Sequence, residues 1–261
     1  MASTLIFDQQ HYDLLNRSRG EVVSRLLGEV KQPLGLHTAV DVGCGLGHFS
    51  GLLRSLGFDV TGVDGRKQNV EEAQRRNPGV RFSQFDAEDP GLRSLGKFDL
   101  VFCFGLLYHL ENPLLTIRHL RAMTTKLLLV EGVIFPGDEP VMALVDEGAT
   151  EDQGLDHFAF YPTEACLIKM LWRAGFPHVY GFATQPDHAE YRSTKSSRRI
   201  RTVLAASTDP LSSALLNSVS EPKTEVVPWD PTSGMRQSRP LEKLRSLVRG
   251  GLPRRAKAGK V

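Results

Sequence analysis

The residues whose types and spacing best suit them to chemistry lie in the run AVDVGCGLGHF at 39–49. An apolar stretch ends in an acidic residue, and Gly43, Gly45 and Gly47 follow, with a glycine at every second position. Such a turn brings bare backbone against a ligand, where a side chain would block the approach. Nicotinamide and flavin binders use G-x-G-x-x-G, but here His48 stands where the third glycine is required. The run therefore predicts a binding turn for a ligand other than a dinucleotide.

Three more polar residues follow predicted strands. Asp64 ends the strand FDVTGVD, Asp86 follows VRFSQF, and His109 comes soon after FDLVFCF. Because parallel strands present their carboxyl ends at one edge of a sheet, we expect these side chains to lie near the glycine turn. Each also has a plainer interpretation: either aspartate can cap the following helix, and the histidine can bond a nearby carbonyl group.

The elements that must position these residues alternate regularly. Strands are predicted at 37–42, 58–64, 80–85, 98–104, 126–132, 177–182 and 200–206; helices are predicted at 8–30, 47–57, 67–78, 113–123 and 164–175. Gly20 is a possible break in the first helix. The alternation favours an α/β fold with helices on both faces of a parallel sheet. We expect a helical segment at 1–36, a domain at 37–206 with an insertion at 136–162, and a disordered basic tail at 207–261.

Charge and composition are those of a globular protein with a basic tail. The chain has 32 Lys and Arg against 30 Asp and Glu, and residues 236–261 hold nine of the basic residues and one acid. The rest therefore carries 23 basic against 29 acidic side chains. No signal peptide or bilayer-spanning run is visible, and we expect Cys44, Cys103 and Cys166 to be reduced, buried thiols in a cytoplasmic protein.

Four of these runs together resemble the class I S-adenosylmethionine-dependent methyltransferases. VDVGCGLG, VTGVD, FDAED and FDLVFCFGLLYHL fall within 38–132 in the family's order, each at the end of a predicted strand. The resemblance implies a Rossmann-like, doubly wound, mostly parallel sheet of seven strands with one antiparallel strand near the edge. It also implies S-adenosylmethionine as the cofactor, and we expect no metal.

The resemblance carries over to individual positions. The residues that it implies for cofactor binding are Asp41, Gly43, Cys44, Gly45, Gly47, Asp64, Gly65, Arg66, Asp86, Ala87, Phe104 and Gly105. In this assignment the glycine turn and the helix after it hold the methionine part, with Asp41 orienting the loop or accepting from the ammonium group. Asp64 accepts the ribose hydroxyls beside Gly65 and Arg66, and Asp86 accepts from the adenine amino group.

The acceptor side is less defined. The chain lacks the [DN]-P-P-[YF] motif of many amino-group methyltransferases, whereas GLLYHLENP resembles a branch acting on small molecules, sugars and lipids. The same run resembles the wobble-uridine carboxymethyl transferases of tRNA. His109 is the candidate catalytic base for a substrate hydroxyl, with a structural histidine as the alternative. Tyr108 either lines the acceptor pocket or packs in the core.

Two segments are expected to set specificity. The insertion 136–162 holds seven acids and no Lys or Arg, and His157, Phe158, Phe160 and Tyr161 are candidates to shape the pocket. A solvated acidic loop is the alternative. Lys195, Arg198, Arg199 and Arg201 precede the last strand, where they could meet a phosphate or carboxylate or simply form an exposed hairpin.

Three functions follow from these patterns. We expect a methyltransferase acting on a hydroxyl or carboxyl group of a small molecule, sugar or lipid-linked glycan. The alternative is an RNA methyl or carboxymethyl transferase, against which the acidic body argues. A regulator that binds the cofactor without turnover comes last. The basic tail is a candidate for weak contact with an anionic surface, and the oligomeric state stays open.

Overall fold

The structure, a computed structural model, describes residues 6–148, 150, 153–155, 158–194 and 198–224. Its strands are β1 (Thr38–Val42), β2 (Asp59–Asp64), β3 (Arg81–Gln84), β4 (Phe98–Phe104), β5 (Thr124–Val133), β6 (Met142–Asp146), β7 (Phe158–Pro162), β8 (His178–Phe182), β9 (Arg201–Ser207) and β10 (Leu216–Ser218). Its α-helices are α1 (Gln10–Leu34), α2 (His48–Ser55), α3 (Lys67–Arg76), α4 (Pro113–Met123) and α5 (Glu164–Arg173). Short 3-10 helices cover Ile6–Asp8, Pro90–Leu95, Leu107–His109 and Ala189–Tyr191.

The main sheet has the predicted doubly wound topology. Its order is β10-β8-β9-β5-β4-β1-β2-β3, and β5, β4, β1, β2 and β3 are parallel neighbours. The sheet reverses where β9 inserts antiparallel between β5 and β8. This reversal brings the first residue of β9 to the edge where the parallel strands end, because Arg201 pairs with Val133 at the end of β5.

The strand count corrects the prediction, since this sheet has eight strands rather than seven. The additional strand is β10, which pairs antiparallel with β8 through Leu216, Asn217 and Ser218. The sequence places the start of a tail at 207, whereas β9 ends at Ser207 and the chain then returns to the sheet as β10. A three-residue strand with one buried side chain has too little alternation to be recognised.

Two apolar layers hold the sheet between its helices. Side chains alternate along β4, so Leu100 and Phe102 pack with α1 and α2 while Val101 and Cys103 pack with α4 and α5. All three cysteines are buried and free, as predicted. No helix in the described ranges has both the length and the hydropathy needed to cross a bilayer.

The first helix is continuous where a break at Gly20 was a possibility. Gly20 is buried within α1, and a Cβ added there would lie 3.3 Å from Leu52 of α2. The glycine therefore allows two helices to approach closely rather than dividing one. The helix ends at Gly35, whose φ of 58° gives a left-handed cap.

The predicted insertion contains a second, two-stranded sheet. β6 and β7 pair antiparallel, from Met142 opposite Pro162 to Asp146 opposite Phe158. Only alternate side chains of β6 are partly covered, and Leu144 remains 64% exposed. The insertion thus contains an antiparallel strand pair rather than only an irregular loop.

Candidate functional site

A cavity of about 620 Å³ opens at the carboxyl edge of the parallel strands. Its wall includes most of the predicted cofactor and catalytic residues, namely Gly43, Cys44, Gly45, Gly47, Asp64, Gly65, Arg66, Asp86, Ala87, Phe104, Gly105, Tyr108 and His109. The first turns of α1 close one side of the same cavity. The volume is within the range typical of small-ligand sites.

Two glycines of the turn lie against protein side chains, and the third faces open space. Gly43, Gly45 and Gly47 have φ angles of 76°, 52° and 81°. A Cβ at Gly43 would lie 2.9 Å from Leu106, and one at Gly47 would lie 2.6 Å from Asn77 Nδ2. The corresponding position at Gly45 has no neighbour within 4 Å among the described residues and lines the cavity. The turn therefore leaves room for a ligand at its middle glycine.

Asp64 connects the second strand to the glycine turn. Its Oδ2 accepts a hydrogen bond from Gly45 N at 2.9 Å, and its Oδ1 accepts from Arg66 N at 2.9 Å and Asn69 Nδ2 at 3.0 Å. A carboxylate has about four acceptor positions, so one remains on the oxygen that faces the turn. Asp64 thus shapes the turn and retains capacity for a ligand hydroxyl.

Asp86 lies on the cavity wall, and its Oδ1 accepts from Glu88 N at 2.9 Å in a local turn. It does not cap the following helix, because Asp89 accepts from Gly91 N at the start of Pro90–Leu95. The Glu88 carboxylate in turn accepts from Glu111 N at 3.0 Å and Asn112 N at 2.5 Å. Glu88 therefore ties the loop after β3 to the segment that follows His109, a role the sequence did not indicate.

Asp41 lies behind the turn, outside the cavity wall of the described residues. It is 2% exposed, and Ser50 Oγ of α2 donates to its Oδ2 at 2.6 Å. Burial raises the pKa of Asp41 to about 7, with the Ser50 hydrogen bond opposing the shift. The geometry places Asp41 as the anchor between β1 and α2, which matches the loop-orienting alternative.

The strand β4 ends in an aromatic pair and is followed by a glycine in the left-handed backbone conformation. Phe104 stacks on Phe102 with ring centroids 4.0 Å apart, and Gly105 follows with a φ of 74°. Tyr108 is buried on the cavity wall, where the Arg201 guanidinium lies 5.7 Å from its ring centroid. Burial raises the pKa of Tyr108. The tyrosine therefore both packs and lines the site.

His109 makes a short contact with a carboxylate from the insertion. Its Nδ1 lies 2.8 Å from Oε2 of Glu147, and Gly154 N donates to the same oxygen at 2.8 Å. The side chains are 12% and 2% exposed. Glu147 is a residue that the sequence analysis missed, because seven acids in one insertion look like a solvated surface.

A buried charged cluster forms the wall next to Tyr108. Glu131 of β5 accepts from Arg19 Nη2 at 3.1 Å, Arg201 Nη1 at 3.2 Å and the Tyr191 hydroxyl at 2.5 Å, all at Oε1. Arg19 Nη2 is also 3.1 Å from Oε2, although the angle there does not suit a hydrogen bond. Arg201 pairs on its other side with Glu190. An acid within the apolar run KLLLVEG was the available signal for this cluster.

The remaining predicted substrate residues lie elsewhere. Tyr161 packs against Tyr108, with ring centroids 5.9 Å apart, and is not on the described cavity wall. Arg198 pairs with Asp138 and Arg199 with Glu164, also away from that wall. Only Arg201 of this group reaches the cavity. His157 and Lys195 fall outside the residues that the structure describes.

Within the described ranges, no group of three or more His, Cys, Asp and Glu side chains is arranged to hold a metal ion. The cavity instead offers backbone amides and the side chains of Arg19, Arg66, Arg76 and Arg201. These groups suit a polar organic ligand.

Comparisons with known proteins agree with this geometry. A tRNA U34 carboxymethyltransferase of Actinobacillus succinogenes is 32% identical over 158 residues, covering 56% of this chain and 47% of that protein. A protein of the same name from Tolumonas auensis is 29% identical over 159 residues, covering 56% and 46%. The chain thus spans about half the length of these curated relatives.

Solved structures share the fold at lower identity. The N-terminal domain of EvdMO1 with SAH bound has a TM-score of 0.60 at 20% identity, covering 74% of this chain and 80% of that one. Magnesium protoporphyrin IX methyltransferase from Synechocystis PCC 6803 with SAM bound has a TM-score of 0.54 at 21% identity, covering 80% and 86%. A family described as a methyltransferase domain matches residues 13–179. The chain therefore belongs to the methyltransferase-domain family.

Proposed function

We propose that this protein binds S-adenosylmethionine at the glycine turn and transfers the methyl group to a hydroxyl or carboxyl group of a small molecule, sugar or lipid-linked acceptor. The observation that carries the proposal is the environment of His109. This histidine lines the same cavity as the turn, and its Nδ1 is occupied by Glu147, so Nε2 is the ring nitrogen left for an acceptor.

The cavity residues fit the cofactor's chemistry. The open position at Gly45 accommodates a ligand against the backbone, and Asp64 keeps acceptor capacity for ribose hydroxyls. The helix α2 begins directly after Gly47 with no side-chain cap, so its first N–H groups are available to a carboxylate. S-adenosylmethionine, when bound, supplies a methyl group on a positively charged sulfur.

His109 would act as a general base in the transfer. It would accept the acceptor's hydroxyl proton at Nε2 as the acceptor oxygen takes the methyl group, with the electron pair of the cleaved carbon–sulfur bond remaining on the departing thioether. The buried side chains of Tyr108 and Phe104 would exclude water from this part of the cavity. An acceptor carboxylate would be ionised already and would not need the base.

The test is turnover with labelled cofactor. Radiolabelled S-adenosylmethionine is incubated with a small-metabolite extract, a lipid extract and total tRNA in separate reactions, and the labelled fraction identifies the acceptor class. We expect label in the metabolite or lipid fraction, and a fall in turnover of about 10²- to 10⁴-fold for His109→Ala. The exposed His37 provides the control, so His37→Ala should leave turnover unchanged. Wild-type turnover in His109→Ala would refute the base.

A second candidate, carboxymethyl transfer to tRNA, is favoured by the names of the curated relatives. A carboxymethyl group carries a negative charge, and Arg19 and Arg201 are cations on the cavity wall. Both already share Glu131, Arg76 pairs with Asp8 and Glu72, and Arg198 and Arg199 have acidic partners. Arg66 on the cavity wall donates to backbone carbonyls instead of an acid, so little positive charge in the described part of this region is left for phosphates. Label from S-adenosylmethionine in the tRNA fraction would show methyl transfer to RNA, because this donor carries no carboxymethyl group. The tRNA reaction is therefore repeated with a labelled donor that carries a carboxymethyl group on the sulfur, and label transferred from that donor, with steeply salt-dependent binding, would favour this candidate over the first.

A further inference from the structure

The contact between His109 and Glu147 of the insertion is supported by a backbone hydrogen bond to the same carboxylate oxygen. Glu147 directly follows β6, and its Oε2 accepts a hydrogen bond from Gly154 N at 2.8 Å and lies 2.8 Å from Nδ1 of His109. A Cβ on Gly154 would lie 2.8 Å from the His109 carbonyl oxygen, so the two backbones are in direct contact. The carboxylate is therefore pinned between a backbone amide and Nδ1 of the histidine.

The same segment is attached to the cofactor side of the cavity. Arg66 Nη2 donates to the carbonyl oxygens of Gln153 at 3.0 Å and Gly154 at 3.2 Å. Leu155 approaches to 3.2 Å from the Cβ position of Gly65. The residues that anchor Glu147 thus bridge the end of β2 and the histidine, which limits how far the carboxylate can shift.

An acceptor at Nδ1 selects one form of a neutral imidazole. With the proton on Nδ1 directed to the carboxylate, Nε2 carries the lone pair. The other oxygen of Glu147, Oε1, is buried and receives no hydrogen bond from the described residues. A buried carboxylate whose charge is only partly neutralised by hydrogen bonds stabilises an imidazolium that forms beside it.

We infer that Glu147 is a positioning residue that holds His109 in the Nδ1-protonated form and stabilises the imidazolium produced when Nε2 takes the acceptor's proton. This inference rests on the proposed function, since it assigns the insertion a part in the same reaction. The acidic insertion then contributes to the chemistry as well as covering the acceptor.

The first test is spectroscopic and needs no acceptor. Long-range ¹H–¹⁵N spectra of ¹⁵N-histidine protein report which ring nitrogen carries the proton, and His109→Gln assigns the signal among the eight histidines. We expect the Nδ1-protonated form in the wild type and in Glu147→Gln, whose amide oxygen can still accept. Glu147→Ala should shift His109 toward the Nε2-protonated form. Asp146→Ala, an exposed neighbour on β6, is the matched control and should match the wild type.

The second test is kinetic and uses whichever extract fraction takes the label. Glu147→Ala should lower kcat on the order of 10- to 100-fold, as loss of a group that orients a histidine typically does, with unchanged affinity for S-adenosylmethionine. The kcat of Glu147→Gln should fall between those of the wild type and Glu147→Ala, because glutamine can accept the hydrogen bond but carries no charge.

Two results would overturn the inference: an unchanged His109 tautomer in Glu147→Ala, or a change in KM alone with wild-type kcat. These outcomes are separate from failure of the proposed function. Wild-type turnover in His109→Ala removes the base, whereas the tautomer measurement still decides whether Glu147 positions the ring.

Discussion

Asp41 makes the stability of this protein depend on pH in a direction opposite to that of most carboxylates. The side chain is 2% exposed, and burial raises its pKa from 3.8 to about 7. Between these values the unfolded chain releases the proton and the folded protein keeps it. The contribution of this group is therefore fully favourable below about pH 4, falls as the pH rises toward 7, and is constant above it.

The size of this pH dependence follows from the shift in the pKa of Asp41. About three pKa units correspond to about 4 kcal/mol of unfolding free energy lost between pH 4 and pH 7. Asp41→Asn removes the titration while keeping an oxygen that can accept from Ser50 Oγ. Relative to the wild type, the variant should gain about 4 kcal/mol over this range.

The measurement is urea denaturation of both proteins at several pH values from about 4.5 to 7.5, with the slope m checked for equality. All other titrating groups are common to the two proteins and cancel in the difference. If the difference in unfolding free energy between the two proteins stays constant across this pH range, Asp41 is ionised throughout the range in the folded protein. That result would refute the reasoning from burial.

Two further changes test the walls of the cavity. Glu131→Leu leaves the buried Arg19 without its acidic partner, whereas Arg201 keeps Glu190, and the change should lower the unfolding free energy by about 3–5 kcal/mol in urea titrations. Glu190→Ala, on the more exposed side of the same cluster, should lower it less, and a loss below about 1 kcal/mol for the leucine variant would contradict the argument. Asp64→Ala should weaken S-adenosylmethionine binding by about 2–3 kcal/mol in titration calorimetry, whereas Asp59→Ala at the far end of β2 should leave it unchanged; equal affinities in the two variants would exclude Asp64 as a ligand-binding residue.

The parts of the fold that were predictable are those with strong local patterns. The five parallel strands and the five helices lie within a few residues of the predicted ranges. The inner strands are apolar because they are buried, and the helices keep one apolar face. Gly20 was ambiguous, since a glycine that breaks a helix and one that allows close packing look alike in sequence. The strand β10 was invisible because its pairing with β8 depends on a distant part of the chain.

Some residues of the candidate site could likewise be predicted from local patterns, and others could not. That the glycine turn and the strand-end acids Asp64 and Asp86 share one cavity could be predicted, because local sequence patterns mark them. Glu147 could not be singled out from the other acids of the insertion, because only the hairpin brings it to His109. The charge of Glu131 within an apolar strand was a usable signal, but its partners come from α1 and from the far end of the chain.

The cluster at Glu131 also imposes an order on how the cavity can form. Arg19 is 112 residues from Glu131 in the chain and 172 from Tyr191. When β5 has been synthesised, Glu131 and Arg19 are already part of the chain, but Tyr191 and Arg201 have not yet been added. Until they are synthesised, the carboxylate lies in an apolar strand without two of the three side chains that donate hydrogen bonds to it, which disfavours burying it. The wall beside Tyr108 is therefore expected to close late, after β9 has been synthesised and has inserted between β5 and β8.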